Sequence, residues 1–162
     1  MHTRLFTYTV RPARDDDLEA VETMLGDERL PLEGLREQFR NFLVAEGTYS
    51  QRVPALPIGA IGLEHYGDTA LLRSAVVDSA WRGRGVGRAL VDAAVQEARA
   101  KGVRELYLLT TTAEAFFSAM AFRIVARAEV PESVRQSVEF VSACPDSATA
   151  MAQSIAATPR VR

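Results

Sequence analysis

One short segment, residues 81–88, joins an apolar run of residues to an amphipathic one, and this order limits the folds that the chain can adopt. It reads Trp-Arg-Gly-Arg-Gly-Val-Gly-Arg, follows an apolar run at 71–77 and leads into an amphipathic run at 84–100. A short apolar run is typical of a buried strand, and apolar residues spaced at 3.6 are typical of a helix. The sequence therefore predicts a strand that passes through glycines into a helix.

A connection of this kind is suited to binding phosphate. The first N–H groups of a helix have no intrahelical partner, and the positive end of the helix dipole lies there. Gly83, Gly85 and Gly87 have no β-carbon, so ligand oxygens can approach their backbone and positive φ is tolerated. The segment predicts an anion site whose donors are backbone N–H groups.

Two common nucleotide motifs do not fit this segment. A Walker-type loop would need a Gly-Lys-Ser/Thr sequence, and none follows the glycines. A dinucleotide fingerprint would need a third glycine where the chain has Arg88. The motif that remains is Arg82-x-x-Gly85-x-Gly87, and its structural alternative is an ordinary Gly/Arg-rich turn before a surface helix.

Length and charge restrict the class of protein. With 162 residues, of which 48% are apolar, the chain suits one domain, which we place at residues 1–143 with a C-terminal tail at 144–162. A net charge of -2 and a pI near 5.7 argue against nucleic acid or an anionic membrane as partner. The basic patch of Arg82, Arg84 and Arg88 is only local.

Cysteine usage and hydropathy indicate the compartment. Cys144 is the only cysteine, which excludes an internal disulfide and a zinc site built on several cysteines. We predict that no metal is used. The sequence shows neither a secretory pattern nor an apolar stretch near 18 residues, so we expect a cytoplasmic protein.

Turn residues and hydrophobic spacing predict the other elements. Strands at 42–46 and 58–66 should pair as a hairpin, and the tail should have weak helical character. The alternation of strands and helices predicts an α/β sandwich with the glycine segment at the carboxyl end of a central strand. The remaining predicted strands are 5–11, 103–110, one near 123–130 and 138–142, and the remaining helices are 15–26, 32–39 and 113–120.

The order of these pieces resembles the core of the GNAT acetyltransferase superfamily. The resemblance runs from about residue 71 to 142 and includes Arg82-x-x-Gly85-x-Gly87 and the later motif Ala113-x-x-Phe116-Phe117-x-x-x-Ala121-Phe122. It implies a mixed, mainly antiparallel sheet with helices on both faces, and acetyl-coenzyme A (acetyl-CoA) as cosubstrate. A homodimer is a further expectation from the resemblance.

Two narrower resemblances lie within this superfamily. The run 109–111 and the segment 131–136 are similar to the acetyltransferase domain of bacterial N-acetylglutamate synthases. The whole chain is similar to small stand-alone acetyltransferases found with arsenic-resistance genes. The glutamate-specific enzymes carry basic residues where this chain has Thr112, Ser142 and Ala143, so the resemblance does not carry glutamate over as the substrate.

The resemblance also implies residue roles at the cofactor. A backbone N–H near Val76 should polarise the acetyl carbonyl. Many members have a tyrosine that protonates the leaving thiolate, whereas this chain has Phe117, which has no proton to give. The residues expected to contact acetyl-CoA are Val76, Val77, Arg82, Gly83, Arg84, Gly85, Val86, Gly87, Arg88, Phe116 and Phe117.

For the acceptor side, the residues themselves suggest candidates. Glu64, near the end of a strand expected beside 71–77, is the candidate base, and its alternative is a solvated strand-end carboxylate. His65 must point to the opposite sheet face, as a surface histidine would. Thr111 is a candidate for catalysis and, with Arg73 and Ser74, for acceptor binding.

Arg73 is a permanent charge inside an apolar strand, and it must find an anion. That anion is either an internal carboxylate, such as Glu64 or Glu114, or the carboxylate of a substrate. The resulting hypothesis is an N-acetyltransferase for a small amine, with an amino-acid-like acceptor as one option. The alternative is a non-catalytic acyl-CoA binding module, which Phe117 favours.

Overall fold

The computed structural model describes residues 5–156, in which seven strands form one sheet in the order β1-β2-β3-β4-β5-β7-β6. All the pairs with a determined register are antiparallel except β4 with β5. This confirms the predicted α/β class with a mixed, mainly antiparallel sheet. The strands are β1 (Thr7–Pro12), β2 (Phe42–Thr48), β3 (Leu56–Tyr66), β4 (Thr69–Val77), β5 (Glu105–Thr110), β6 (Arg123–Ile124) and β7 (Thr149–Ser154).

Within residues 5–156, five α-helical segments accompany the strands. Short 3-10 turns extend several of them, as at Asp15–Asp17 before the first helix and Phe39–Asn41 after the second. No helix in residues 5–156 has the length and apolar character needed to cross a membrane. The helices are α1 (Leu18–Asp27), α2 (Leu35–Gln38), α3 (Val86–Ala100), α4 (Glu114–Ala119) and α5 (Glu132–Arg135).

The described chain divides into two compact units. The first unit comprises residues 5–62 and 74–93, and its sheet portion contains the predicted hairpin, with Phe42 opposite Gly62. The apolar face of α1, including Val21 and Leu25, packs with Phe42 and Val44 in a core that is closed to solvent. Burial of this face stabilises a helix whose own propensity is modest.

The second unit comprises residues 63–73 and 94–156. Strand β5 runs parallel to β4 from Thr69 opposite Glu105, and antiparallel to β7 along its whole length. Gly102, at φ +83°, ends α3, and Val103 N–H donates back to the Ala98 carbonyl at 3.0 Å. This is the left-handed helix stop that the Lys-Gly pair predicts.

Three sequence predictions near the C-terminal end are wrong. Residues 138–142 form a π-helical turn, Glu139–Ala143, and not a strand, because the backbone bonds within the turn, with Cys144 N–H donating to the Glu139 carbonyl at 3.0 Å. Near 123–130 only Arg123–Ile124 is a strand. The predicted tail contains β7, whose alanines favour a helix by propensity but pair with β5, so the sheet extends beyond residue 143.

Candidate active site

In the first unit, the glycine segment connects β4 to α3 as predicted. Asp78 starts the connection, and its Oδ1 accepts a hydrogen bond from Ala80 N–H at 2.9 Å. Gly83 has φ +75° and Gly85 has φ +83°, a conformation that residues with a β-carbon rarely adopt. A β-carbon at Gly83 would meet nothing within 4 Å, so the backbone angle and not the space requires glycine there.

The N-terminus of α3 presents backbone donors next to these glycines. The first helical hydrogen bond runs from Ala89 N–H to the Gly85 carbonyl at 3.0 Å. The N–H groups of Val86, Gly87 and Arg88 precede it and have no intrahelical acceptor. Together with the helix dipole, they give this end of α3 the attraction for anions that the sequence predicts.

An aromatic anchor that sequence reasoning missed holds the segment in place. Trp81 is buried, and its ring meets Phe6 edge to face at 5.0 Å between centroids. A β-carbon at Gly47 would lie 2.7 Å from Trp81, so this glycine makes room for the ring. The Arg84 guanidinium lies over Phe6, 3.4 Å from the ring centroid. Only the contacts, and no sequence spacing, reveal this anchor.

The motif arginine, Arg82, is half exposed and forms an ion pair with Glu28, the residue after α1. Arg84 and Arg88 are exposed, as are Gly83 and Gly85. These five predicted phosphate contacts are therefore accessible from solvent, whereas Val86 is buried and Gly87 is half-buried.

Strand β4 has a strained residue two positions before the predicted oxyanion donor. Ser74 has φ +56° in the middle of the strand, although it is not glycine. Residues forced into this region cost about 1–3 kcal/mol and cluster at functional sites. Val76 follows two residues later and is buried, and its carbonyl would lie 3.0 Å from a β-carbon at Gly59. Val77, the last residue of β4, is half-buried.

In the second unit, Arg73 and Glu64 form a buried ion pair. Arg73 Nη1 donates to Glu64 Oε1 at 2.7 Å, and the two side chains are 0% and 4% exposed. The Tyr66 hydroxyl donates to the other carboxylate oxygen, Oε2, at 2.6 Å. Burial, and then the bond to Glu64, raises the pKa of Tyr66.

A second carboxylate reaches the same arginine. Glu139, in the π-helical turn, lies 3.6 Å from Arg73 Nε and is 5% exposed. Since the sequence predicts a strand there, Glu139 was not among the candidate residues. The internal carboxylate partner expected for Arg73 is thus present: Glu64 is one of the two residues predicted, and Glu139 is an additional one. The other predicted partner, Glu114, instead accepts a hydrogen bond from Thr149 at 3.2 Å.

Two expectations beside this pair are wrong. Glu64 is not a solvated strand-end carboxylate, because it is buried. His65 is half-buried, and its Nε2 is buried without a hydrogen-bond partner among the described residues. Burial lowers the pKa of His65, and nearby Lys101 adds to the shift.

The later motif also belongs to the second unit. Phe117 is buried and meets Phe116 and Phe122 edge to face at 5.1 and 5.6 Å. Thr110 Oγ1 accepts from Ala113 N–H at 3.0 Å, a local bond, and Thr111 is exposed. Ala121 adopts φ +71°, a conformation that favours glycine.

Comparison with known proteins supports the resemblance. Rv2747 from Mycobacterium tuberculosis, solved in complex with CoA and NLQ, is 24% identical with a TM-score of 0.74, over 90% of this chain and 98% of that one. N-acetylglutamate synthase from Neisseria gonorrhoeae, complexed with CoA and N-acetyl-glutamate, is 18% identical with a TM-score of 0.76, over 92% of this chain and 35% of that one. This chain therefore spans about a third of that synthase, and both likenesses concern the fold.

A family model gives the decisive match. The model described as the acetyltransferase (GNAT) family matches residues 8–122, which include most of β1, all of β4, the glycine segment and Phe122. This match covers well over half of the chain and confirms the predicted resemblance. The chain therefore belongs to the acetyltransferase (GNAT) family, and its cosubstrate is acetyl-CoA.

Proposed function

We propose that this protein transfers the acetyl group of acetyl-CoA to the amine of a small molecule. The observation that carries the proposal is the glycine segment, in which two residues at positive φ precede a helix N-terminus with free donors. In a member of the acetyltransferase family, this segment is the part of the chain that fits the CoA pyrophosphate.

On the cofactor side, backbone groups do most of the binding. The N–H groups of residues 83–88 hold the pyrophosphate, and Arg82, Arg84 and Arg88 add positive charge. Val77 and the two phenylalanines Phe116 and Phe117 offer apolar contact to the rest of the cofactor. An aspartate at Gly87 would place a negative charge against the phosphates, so Gly87→Asp should abolish CoA binding in titration calorimetry.

Activation of the thioester is assigned to the backbone near Val76. Its N–H donates to the acetyl carbonyl, where negative charge develops as the amine attacks. An aimed donor of this kind contributes on the order of 10²–10³ in rate. The left-handed conformation of Ser74 supports this role, since it alters the direction of the backbone just before Val76.

Glu64 is our proposed base, and it accepts the proton of the acceptor ammonium directly or through water. Its contacts with Arg73 and Tyr66 fix the position of its carboxylate. A general base contributes about 10²–10⁴ in rate, and holding the amine against the thioester contributes up to about 7–11 kcal/mol. Activity therefore does not require the tyrosine that Phe117 replaces.

The acceptor is proposed to be amino-acid-like, with Arg73, Ser74 and Thr111 as contacts. A similar structure supports this class, since the synthase from Neisseria gonorrhoeae holds N-acetyl-glutamate. In this chain, an acidic acceptor would have to compete with Glu64 and Glu139 for Arg73. A role in arsenic resistance, a cytoplasmic location and a homodimer are further proposals, and they rest on the sequence alone.

The experiment is incubation of the protein with acetyl-CoA and a panel of amines, with thiol release as the readout. Amino acids, their amides and simple alkylamines form the panel, and Gly87→Asp is the negative control. Amine-dependent thiol release supports the proposal. CoA binding without release for any amine would favour the alternative, a non-catalytic acyl-CoA binding module, which Phe117 supports.

A further inference from the structure

The motif arginine of the glycine segment has an internal partner that the proposed function does not explain. Arg82 Nη2 donates to Glu28 Oε1, a residue 54 positions away in sequence. The two side chains are 51% and 41% exposed, and both belong to the first unit. An exposed pair contributes little to stability, so a ligand can separate it at small cost. A phosphate that binds the segment therefore meets an arginine that is already in contact with a carboxylate.

The backbone at the end of α1 fixes the position of Glu28. Arg29, the next residue, has φ +55°, although it is not glycine. Leu30 N–H donates to the Leu25 carbonyl at 2.9 Å, and Arg29 N–H donates to the Gly26 carbonyl at 3.0 Å. These bonds form a left-handed helix stop, and Leu30 packs against the core that contains Leu25. The stop therefore holds the backbone of Glu28 at one place on the unit.

The local electrostatics of α1 do not favour a carboxylate at this position. The C-terminus is the negative end of the helix dipole, where cations are stabilising. Yet α1 ends on Asp27, no residue in its last turn is basic, and Glu28 follows directly. The left-handed conformation of Arg29 has a further cost for a residue with a β-carbon. The charge of Glu28 thus finds its stabilising contact at the glycine segment and not in its own helix.

Acetyl-CoA and the product CoA carry the same phosphates. Contacts to these phosphates stabilise the substrate, the transition state and the product equally, so they lower KM without speeding the transfer. The same contacts slow the departure of CoA, and product release limits the turnover of many enzymes. A carboxylate that competes for a phosphate-binding arginine weakens this shared affinity and shortens the time for which CoA stays bound.

We propose that Glu28 sets the affinity for CoA by competing with the phosphates of the cofactor for Arg82. A bound phosphate takes the guanidinium from Glu28, and the carboxylate left beside it repels the phosphate. When CoA leaves, Arg82 returns to Glu28. Glu28 is a positioning residue, because it acts through Arg82. The inference rests on the proposed binding of CoA at the glycine segment.

The test measures CoA affinity by titration calorimetry and CoA release by stopped-flow displacement. Glu28→Gln keeps the shape of the side chain and removes its charge. This variant should bind CoA about two- to fivefold more tightly, the factor that corresponds to an exposed ion pair, and should release it more slowly. The gain should shrink in about 1 M salt, where the screening length is about 3 Å. It should be absent with pantetheine, which has no phosphate.

Two further variants separate competition at Arg82 from a general effect of charge. Glu22→Gln removes another carboxylate of α1, one that pairs with Arg36 at 3.0 Å, and should leave the affinity for CoA unchanged. In an Arg82→Gln background, Glu28→Gln should lose most of its effect, because the guanidinium for which it competes is absent. This double-mutant cycle isolates the contact between the two residues.

Two results would overturn the inference. One is an affinity for CoA that is unchanged or weaker in Glu28→Gln, with urea denaturation showing that the variant is folded. Glu28 would then support Arg82 and not compete for it. The other is a gain of equal size in Glu22→Gln or in the Arg82→Gln background, which would reflect net charge alone. Failure of the proposed CoA site looks different, since CoA would then produce no heat with the native protein or with Glu28→Gln.

Discussion

The same substitution at two glycines of the first unit should have opposite effects. Gly26 lies in α1, Gly83 lies in the glycine segment, and a β-carbon at either would meet nothing within 4 Å. Gly26→Ala should therefore raise the free energy of unfolding by about 0.5–1 kcal/mol, because alanine is the better helix former. Gly83, at φ +75°, is strained by any β-carbon, so Gly83→Ala should lower it by about 1–2 kcal/mol.

Urea denaturation of the two variants measures both changes in the free energy of unfolding. In thermal unfolding, a change of 1 kcal/mol should move the melting temperature by about 2–4 °C in a chain of this size. The two variants should therefore melt on opposite sides of the native protein. Gly83→Ala should also weaken CoA binding in calorimetry, and Gly26→Ala should not. Equal changes in stability, or unchanged CoA binding by folded Gly83→Ala, would refute the assignment of Gly83 to a backbone-defined phosphate loop.

Three further predictions test other parts of the chain. Ala121→Gly should raise the free energy of unfolding by about 0.5–1 kcal/mol, because Ala121 has φ +71°, and a neutral or lower value in urea would contradict the strain. Arg73→Met should lower it by about 3–5 kcal/mol by leaving Glu64 without its guanidinium, against a much smaller loss for Tyr107→Phe. The hydrogen bonds from Arg11 hold the pKa of Asp17 below its ordinary value near 3.8. The stability that this ion pair adds is therefore complete above pH 3.8. It is lost as the pH falls from 3.8 through the lower pKa of the folded state. Asp17→Asn should thus flatten the loss of stability below about pH 4, where the carboxyl of Asp17 takes up its proton, and a curve parallel to that of the native protein would exclude Asp17 as its source.

The glycine segment could be predicted from sequence because its information is local. A strand, three glycines and a helix follow one another within residues 71–100, and the backbone supplies the donors. Glycines at positive φ and free N–H groups depend on residues within one turn of each other. The structure accordingly has Gly83 and Gly85 in the predicted conformation.

The cluster around Glu64 could not be predicted because its members are distant in sequence. Arg73 clearly required an anion, but Glu139 lies 66 positions further along, in a turn whose alternation resembles that of a strand. Strand β7 was missed for a related reason, since its alanines become a strand only through pairing with β5. In both cases tertiary contacts override the local preference.

The replacement of a tyrosine by Phe117 costs this site less than the family motif suggests. A thiol has a pKa near 8.5, so at pH 7 protonating the departing thiolate is favourable by only about 1.5 pH units, or about 2 kcal/mol. Water can perform that step after the carbon–sulfur bond breaks. The amine is different, because it arrives as an ammonium and must lose a proton before it can attack. Removal of this proton is therefore the step for which the enzyme needs a catalytic group. In the second unit, our proposed base for this step is the buried carboxylate of Glu64, which is held by two donors.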